Sequence, residues 1–277
     1  MSIKDITIVI ATFRSDKRLS ECLNSIDREC SVIVVENSNN EKIRNEIESK
    51  FHNVKLILTG DNLGYGKANN IGLRNVKTKY ALVLNPDTVL HDKTLENFII
   101  ATKQTSDFAI IAPFEQNTIV KENENLNPRR VNYVKGFAMF LNLREFREVG
   151  FFDERFFLYF EDIDLCRRLK NKNKKIYLMS SIKIKHFGGS SSDDSINVER
   201  ELTRNWHWMW SSFVYHKKYK GFLISVLIIL PKLVSSIFKT LLYTALNNKK
   251  KKEIYYHRYS GLINAIIGKN SWHRPKV

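Results

Sequence analysis

Short apolar runs alternate with amphipathic segments along the first half of the chain. Ile6 to Ala11, Val32 to Glu36, Val54 to Leu58 and Tyr80 to Leu84 are dense in strand-forming residues and too short for helices, so each predicts a β-strand. Between them, Asp16 to Ile26, Glu41 to Lys50 and Lys67 to Asn75 predict helices. Such alternation predicts an α/β fold with a mostly parallel central sheet and flanking helices. Asp92 is placed to cap a helix carrying Leu95, Phe98 and Ile99 on one face, and Phe108 to Ala112 predicts a further strand. The polar stretch from Glu115 to Arg130 predicts a mobile loop. Beyond it, Val134 to Leu141 predicts a strand, Leu143 to Val149 a short helix, Lys175 to Met179 a strand, and a short β segment ends near His186.

The pattern changes after residue 205. Phe222 to Leu230 carries no charge and only Ser225 is polar, before Pro231 and Lys232 interrupt it. From Leu233 to Leu246 the apolar positions form a one-sided helical stripe, Lys249 to Lys252 follow, and a second stripe runs from Tyr255 to Ile267. Uninterrupted apolar length falls below the roughly 20 residues of a spanning helix. The stripes therefore predict amphipathic helices lying in an anionic membrane surface; packing on the preceding domain, or on a second subunit in a homo-oligomer, is the alternative, and a full span through Gly221 to Leu246 with Lys232 and Lys239 tolerated is the third. The expected division is a domain at 1–205 and a basic helical region at 206–277.

Charge sharpens this division. The 277-residue chain carries a net +16, and residues 206–277 hold 13 Lys or Arg against one acid, Glu253, which is +12 of that total. Because the excess adjoins apolar stripes instead of lining a groove with interleaved aromatics, it favours anionic lipid and argues against nucleic acid as a partner. Cys22, Cys30 and Cys166 lack metal-ligand spacing and fit a reducing compartment. The N-terminus enters a strand directly, without the basic and long apolar regions of a secretion signal, so the protein is expected to face the cytosol.

Three stretches carry candidate chemistry. In YALVLNPDT, Pro86 ends a strand and presents Asp87 beyond its carboxyl end, where open α/β sheets bind ligands; taken alone, an Asn-Pro-Asp triplet is also an ordinary turn. In FFLYFEDIDLCRRL, Glu161, Asp162 and Asp164 follow an aromatic run. A helix beginning at Glu161 would put the first two acids in its first turn, with the dipole favouring their anions and the apolar surroundings opposing them. A carboxylate so placed can act as a general base, or merely cap the helix and pair with Arg167 and Arg168. His186, in KHFGGSS, could join a carboxylate in holding a divalent ion or serve as a structural hydrogen-bonder. The segment DNLGYGKANNIG, Asp61 to Gly72, is a glycine-containing loop entering a helix and could bring backbone N–H groups to a phosphate.

Taken in order, IVIATF, VIVVENS, DNLGYGKANNIG, LVLNPDT, VKGFAMFL, VGFFDERFFLYFEDIDLCRRL and KHFGGSS closely resemble the family 2 glycosyltransferases, in particular their bacterial rhamnosyltransferase-like branch. The resemblance spans Ile6 to Ser192. It implies a GT-A fold, Rossmann-like, and inverting transfer of a sugar from a nucleotide diphosphate donor to an acceptor hydroxyl. By this resemblance Asp87 corresponds to the last acid of a DxD-type motif that holds Mg2+ or Mn2+, with Asn85 in place of the first. Asp162 corresponds to the catalytic base, Glu161 to its acceptor-side support and His186 to a histidine that completes the metal shell in some relatives. Thr12 and Glu36 fall where the nucleoside is held, Glu36 standing where Asp is commoner. Asn62, Gly64 and Asn70 match the loop and helix flanking the nucleotide. The implied reaction is L-rhamnose transfer from dTDP-rhamnose to a lipid-linked glycan at the cytoplasmic face of the membrane. UDP-galactofuranose or another UDP-hexose is the alternative donor, and a non-catalytic sugar-nucleotide or glycan-binding protein is the alternative class.

Overall fold

The computed structural model describes residues 2–114, 128–188 and 197–275. It separates into two compact units, Met1–Phe152 with Asp162–Asp193, and Asp153–Glu161 with Asp194–Lys276.

The first unit is built on a sheet. β1 (Ile6–Thr12), β2 (Ser31–Glu36), β3 (Val54–Leu58) and β4 (Tyr80–Leu84) are parallel neighbours in the order β3-β2-β1-β4. Their register sets Thr12 beside Glu36 and Ile10 beside Leu84, which gathers three strand carboxyl ends at one edge. β5 (Thr88–Leu90) lies outside this sheet. β6 (Phe108–Pro113), β7 (Arg129–Val131), β8 (Ala138–Asn142) and β9 (Lys175–Met179) complete eight strands, β8 entering antiparallel between β4 and β6. β10 (Ile184–His186) pairs with β5 in a separate antiparallel ribbon.

Helices cover both faces: α1 (Asp16–Asn24), α2 (Glu41–Lys50), α3 (Tyr65–Asn75), α4 (Thr94–Gln104) and α5 (Glu161–Asn171). Every residue of β1 and β4 is buried, which is why these strands read as continuous apolar runs. Alternate positions nevertheless serve opposite cores. Ile6, Ile8, Ile10 and Leu82 pack with Phe140 on one face, and Val9, Ala81 and Val83 pack with Met139 and Leu141 on the other. The three cysteines are buried free thiols whose pKa burial pushes up to about 12.

Some boundaries differ from expectation. The cap of α4 is Lys93 in the left-handed region (φ 65°), not Asp92, because Thr94 N–H is taken by His91 in a turn and the Lys93 carbonyl starts the helical ladder. Residues 115–127 of the expected loop lie outside the described residues, whereas Arg129 and Arg130 belong to β7. The strand expected from Val134 starts at Ala138, and the helix expected from Leu143 to Val149 is a single 3-10 turn, Leu143–Phe146.

The second unit is helical, with α6 (Asn197–Lys220), α7 (Phe222–Ala245) and α8 (Lys249–Ile266) around Trp206, Trp210, Phe213, Ile229 and Leu262. Gly261 lets α8 meet α6 backbone to backbone, since a Cβ there would stand 2.4 Å from the Trp206 carbonyl oxygen. Segment 153–161 joins this unit through Lys218 Nζ to Asp153 Oδ2 (2.8 Å), Ser211 Oγ to the Leu158 carbonyl (2.9 Å) and Arg204 Nε to the Tyr159 hydroxyl (2.7 Å).

Pro231 interrupts the apolar run without ending the helix. α7 continues through it, although Pro231 has no N–H to donate to the Leu227 carbonyl. Among the described residues it is the one helix long and apolar enough to cross a membrane. Its polarity is inverted. Ser225 and Ser236 are buried and return their hydroxyls to the carbonyls of Gly221 and Lys232, whereas Leu223, Leu227, Phe238 and Leu241 are each more than 60% exposed.

Candidate active site

The carboxyl end of β4 positions the first cluster. Asn85 N–H continues the ladder to the Phe137 carbonyl (2.9 Å), and Asp87 follows the proline turn, 2% exposed. The β5–β10 ribbon sets His186 opposite Thr88, and Phe187 N–H donates to the Asp87 carbonyl at 3.0 Å. His186 Nε2 then lies 3.4 Å from Asp87 Oδ1, with its ring stacked on Phe137 at 4.6 Å. Two side chains 99 positions apart in sequence are thus brought together by three-residue strands. The Oδ1 atoms of Asp87 and Asn85 are buried without a hydrogen-bond partner among the described residues. A buried carboxylate oxygen in that state is costly without a cation, so these residues fit a divalent ion. The protein donor set is sparse, since no group of three His, Cys, Asp or Glu converges among the described residues. That sparseness suits a metal whose remaining positions go to phosphate and water.

Asp162 occupies the first turn of α5, which begins at Glu161 as its sequence pattern predicts. Its Oδ2 accepts from the Tyr133 hydroxyl (3.0 Å) and from Gly136 N–H (3.1 Å), and Oδ1 accepts from Ile163 N–H at 2.7 Å. Burial nevertheless outweighs these bonds and raises its pKa above the usual carboxylate range. The third acid has another task. Asp164 is fully buried against Arg168 (2.7 Å), whose guanidinium also holds the carbonyls of Val149, Gly150 and Phe151. Glu161 is 6% exposed and ends the short segment belonging to the helical unit.

One dipeptide links the two clusters. Gly136 binds Asp162, and the next residue, Phe137, binds Asn85 and stacks on His186. Tyr65 from α3 adds a 2.6 Å hydrogen bond to the Gly136 carbonyl. Sequence reasoning assigned no role to Tyr65, Tyr133, Gly136 or Phe137. Their significance depends on the antiparallel pairing of β8 with β4, which no local pattern announces.

The remaining expected residues divide in two. Thr12 and Glu36 are neighbours at the carboxyl ends of β1 and β2, where an open sheet receives a nucleotide. Glu36 is 1% exposed, burial raises its pKa, and its Oε1 accepts weakly from Arg14 N–H (3.4 Å). Thr12 Oγ1 and Glu36 Oε2 are both buried without a hydrogen-bond partner among the described residues, which leaves polar capacity for a ligand. Asn62, Gly64 and Asn70 shape the adjoining loop. Gly64 caps α3 at φ 84°, where a side chain would be strained, and Asn62 Oδ1 accepts its N–H at 3.2 Å. Asn70 binds the backbone of Phe152 in both directions, at 2.8 and 3.0 Å.

Residues 7–167 match the family model described as glycosyl transferase family 2. The chain belongs to that family. Relatives of this glycosyl transferase family 2 protein include the low-salt glycan biosynthesis hexosyltransferase Agl10 of Haloferax volcanii, 24% identical over 62% of the chain and 64% of that relative's length. The rhamnosyltransferase WbbL of Escherichia coli is 27% identical over 62% of the chain and 78% of the relative. The N-acetylglucosaminyl-diphospho-decaprenol L-rhamnosyltransferase of Mycobacterium tuberculosis is 24% identical over 68% of the chain and 78% of the relative. Among solved structures, the mannosyltransferase PcManGT of Pyrobaculum calidifontis, in complex with GDP-Man and Mn2+, shares the fold at a TM-score of 0.59 and 10% identity, covering 95% of this chain and 87% of its own. The chain is a glycosyltransferase with a mostly parallel GT-A-like sheet, and its sequence relatives include hexosyl- and rhamnosyltransferases.

Proposed function

We propose that this protein is an inverting hexosyltransferase that moves L-rhamnose from dTDP-rhamnose to a hydroxyl of a lipid-linked glycan in surface polysaccharide assembly. The observation that carries this reading is the Gly136–Phe137 link, which ties a desolvated carboxylate, Asp162, to the buried oxygens of Asp87 and Asn85 that accept no hydrogen bond among the described residues. Asp162 accepts the proton of the acceptor hydroxyl, and Tyr133 and Gly136 hold its carboxylate in position. Asp87, Asn85 and His186 would hold Mg2+ or Mn2+, whose charge neutralises the departing diphosphate when bound. Thr12 and Glu36 receive the nucleoside, and Asn62, Gly64 and Asn70 keep the adjoining loop in shape. Alignment and charge stabilisation then supply most of the acceleration.

The rhamnosyltransferase names among the relatives favour rhamnose over UDP-galactofuranose as donor sugar. The mycobacterial relative is named for a diphospho-decaprenol substrate, which supports a lipid-linked acceptor. The outward apolar face of α7 and the following Lys249–Lys252 support association with an anionic membrane surface from the cytoplasmic side.

Thermal unfolding with dTDP, UDP, GDP and CDP, each with and without Mn2+, tests the donor site. A Mn2+-dependent rise with dTDP that disappears in Asp87→Ala is expected; a nucleotide response indifferent to both would remove Asp87 from the metal role. Asp162→Asn is expected to lower kcat by about 10²–10⁴-fold while dTDP still binds, as for loss of a general base. Unchanged turnover in that variant would overturn the mechanism.

A further inference from the structure

The helical unit contains an open cleft of about 790 Å³ to which the preceding reading assigns nothing. Its walls are cationic and aromatic. Arg200, Arg204 and Trp208 follow one another at four-residue spacing along one face of α6, Arg258 enters from α8, and Tyr159 comes from segment 153–161. Glu201 is the one acid among the lining residues and pairs with Lys250 at 3.5 Å.

Arg200 and Arg204 stand at i and i+4, an arrangement that destabilises an isolated helix through like-charge repulsion. An anion between them would be attracted by both guanidinium groups. Two of the guanidinium groups are oriented beforehand: Arg204 through Nε to the Tyr159 hydroxyl (2.7 Å), and Arg258 through Nε to Asn205 Oδ1 (2.7 Å). The terminal nitrogens of these two arginines make no hydrogen bond among the described residues, so the paired donors that match phosphate oxygens remain available. Trp208 is 44% exposed and meets Tyr159 edge to face at 5.2 Å, giving the cleft an apolar wall beside its charges.

The backbone supplies an independent observation. Tyr159 and Phe160 both lie in the left-handed region, at φ 67° and 70°. Successive aromatic residues there cost about 1–3 kcal/mol each, and such strain persists where the surroundings enforce it, often beside a functional site. Here it turns Tyr159 toward Arg204. Tyr159 lies three residues before Asp162 in the chain.

We propose that the Arg200–Arg204–Arg258 cleft binds the diphosphate of the acceptor, with Trp208 and Tyr159 against the apolar group attached to it. The assignment rests on the acceptor being lipid-linked, and it gives the second unit a part in substrate selection. Arg204 and Arg258 are specificity-determining residues, distinct from the groups that perform transfer.

The test measures binding of inorganic pyrophosphate, farnesyl diphosphate and farnesol to the full-length protein by calorimetry in EDTA, which suppresses metal-dependent binding at Asp87. Farnesyl diphosphate is expected to bind, farnesol to fail, and Arg204→Ala and Arg258→Ala each to weaken binding at least about tenfold. Arg204→Lys should recover part of it. Glu201→Gln should tighten binding, a gain that misfolding cannot mimic. The dTDP affinity measured with Mn2+ stays unchanged in all four variants, which separates this site from the donor site. Pyrophosphate binding as tightly as farnesyl diphosphate would assign the cleft to free anions and overturn the acceptor proposal. Equal affinities in wild type, Arg204→Ala and Arg258→Ala would overturn the cleft itself. The readout requires no turnover, so failure of sugar transfer would count against the proposed reaction and leave this binding result standing.

Discussion

Asp162 shows how one residue can be set against itself. Burial raises its pKa, and the hydrogen bond from Tyr133 works in the opposite direction by favouring the ionised form. As the proposed base, Asp162 must be ionised, so kcat/KM is expected to rise with pH through a midpoint above the ordinary carboxylate range. Tyr133→Phe removes one bond to the anion, and its acid limb is expected to move to still higher pH with a plateau near that of wild type. A pH–rate series on the two enzymes checks this; a limb unmoved or shifted to lower pH would show that Tyr133 does not act through Asp162. Stability responds with the opposite sign. With the folded pKa above the unfolded one, the protonated carboxyl favours the fold at low pH, and that contribution is lost as pH rises through the folded value.

Among the elements, segment 153–161 is held to α6 by charge. Burial alone would raise the pKa of Asp153, but hydrogen bonds from Arg155 and Lys218 outweigh it and hold the carboxyl well below its usual range. This stabilisation is present above the unfolded carboxyl pKa and is lost as pH falls toward the folded value. Lys218→Met is expected to cost about 1–2 kcal/mol at neutral pH, solvent screening included, with the difference from wild type shrinking in acid. Denaturant melts at neutral and acidic pH measure both quantities, and a difference that stays constant with pH would mean that packing, not the ion pair, holds the segment. Its sequence, DERFFLYFE, shows the aromatic run but not the partner, because Lys218 lies 65 residues away.

For the whole molecule, the outward face of α7 is the surface we propose for membrane binding. A helix that buries Ser225 and Ser236 and exposes Leu223, Leu227, Phe238 and Leu241 has the polarity of one that meets lipid. Leu227→Glu combined with Phe238→Glu is expected to reduce co-sedimentation with phosphatidylglycerol vesicles by more than about tenfold, since each substitution removes an apolar side chain from lipid. Nucleotide binding should be unaffected. Vesicle binding equal to wild type would assign this face to another partner.

The sequence by itself determined the buried strands of the sheet, β7 at its edge excepted, the start of α5 at Glu161 and the family, because buried strands, helix starts and ordered motifs are written in local residue patterns. Asp87 and Asp162 stood out for the same reason, each being an acid at the end of an apolar run. Only the tertiary structure decided that Phe137 joins Asn85 to His186, that Gly136 meets Asp162, and that arginines of α6 and α8 share a cleft with Tyr159. These contacts join positions far apart in the chain through sheet pairing and helix packing. Such pairings follow from the energy of the assembled fold, and no single segment contains it.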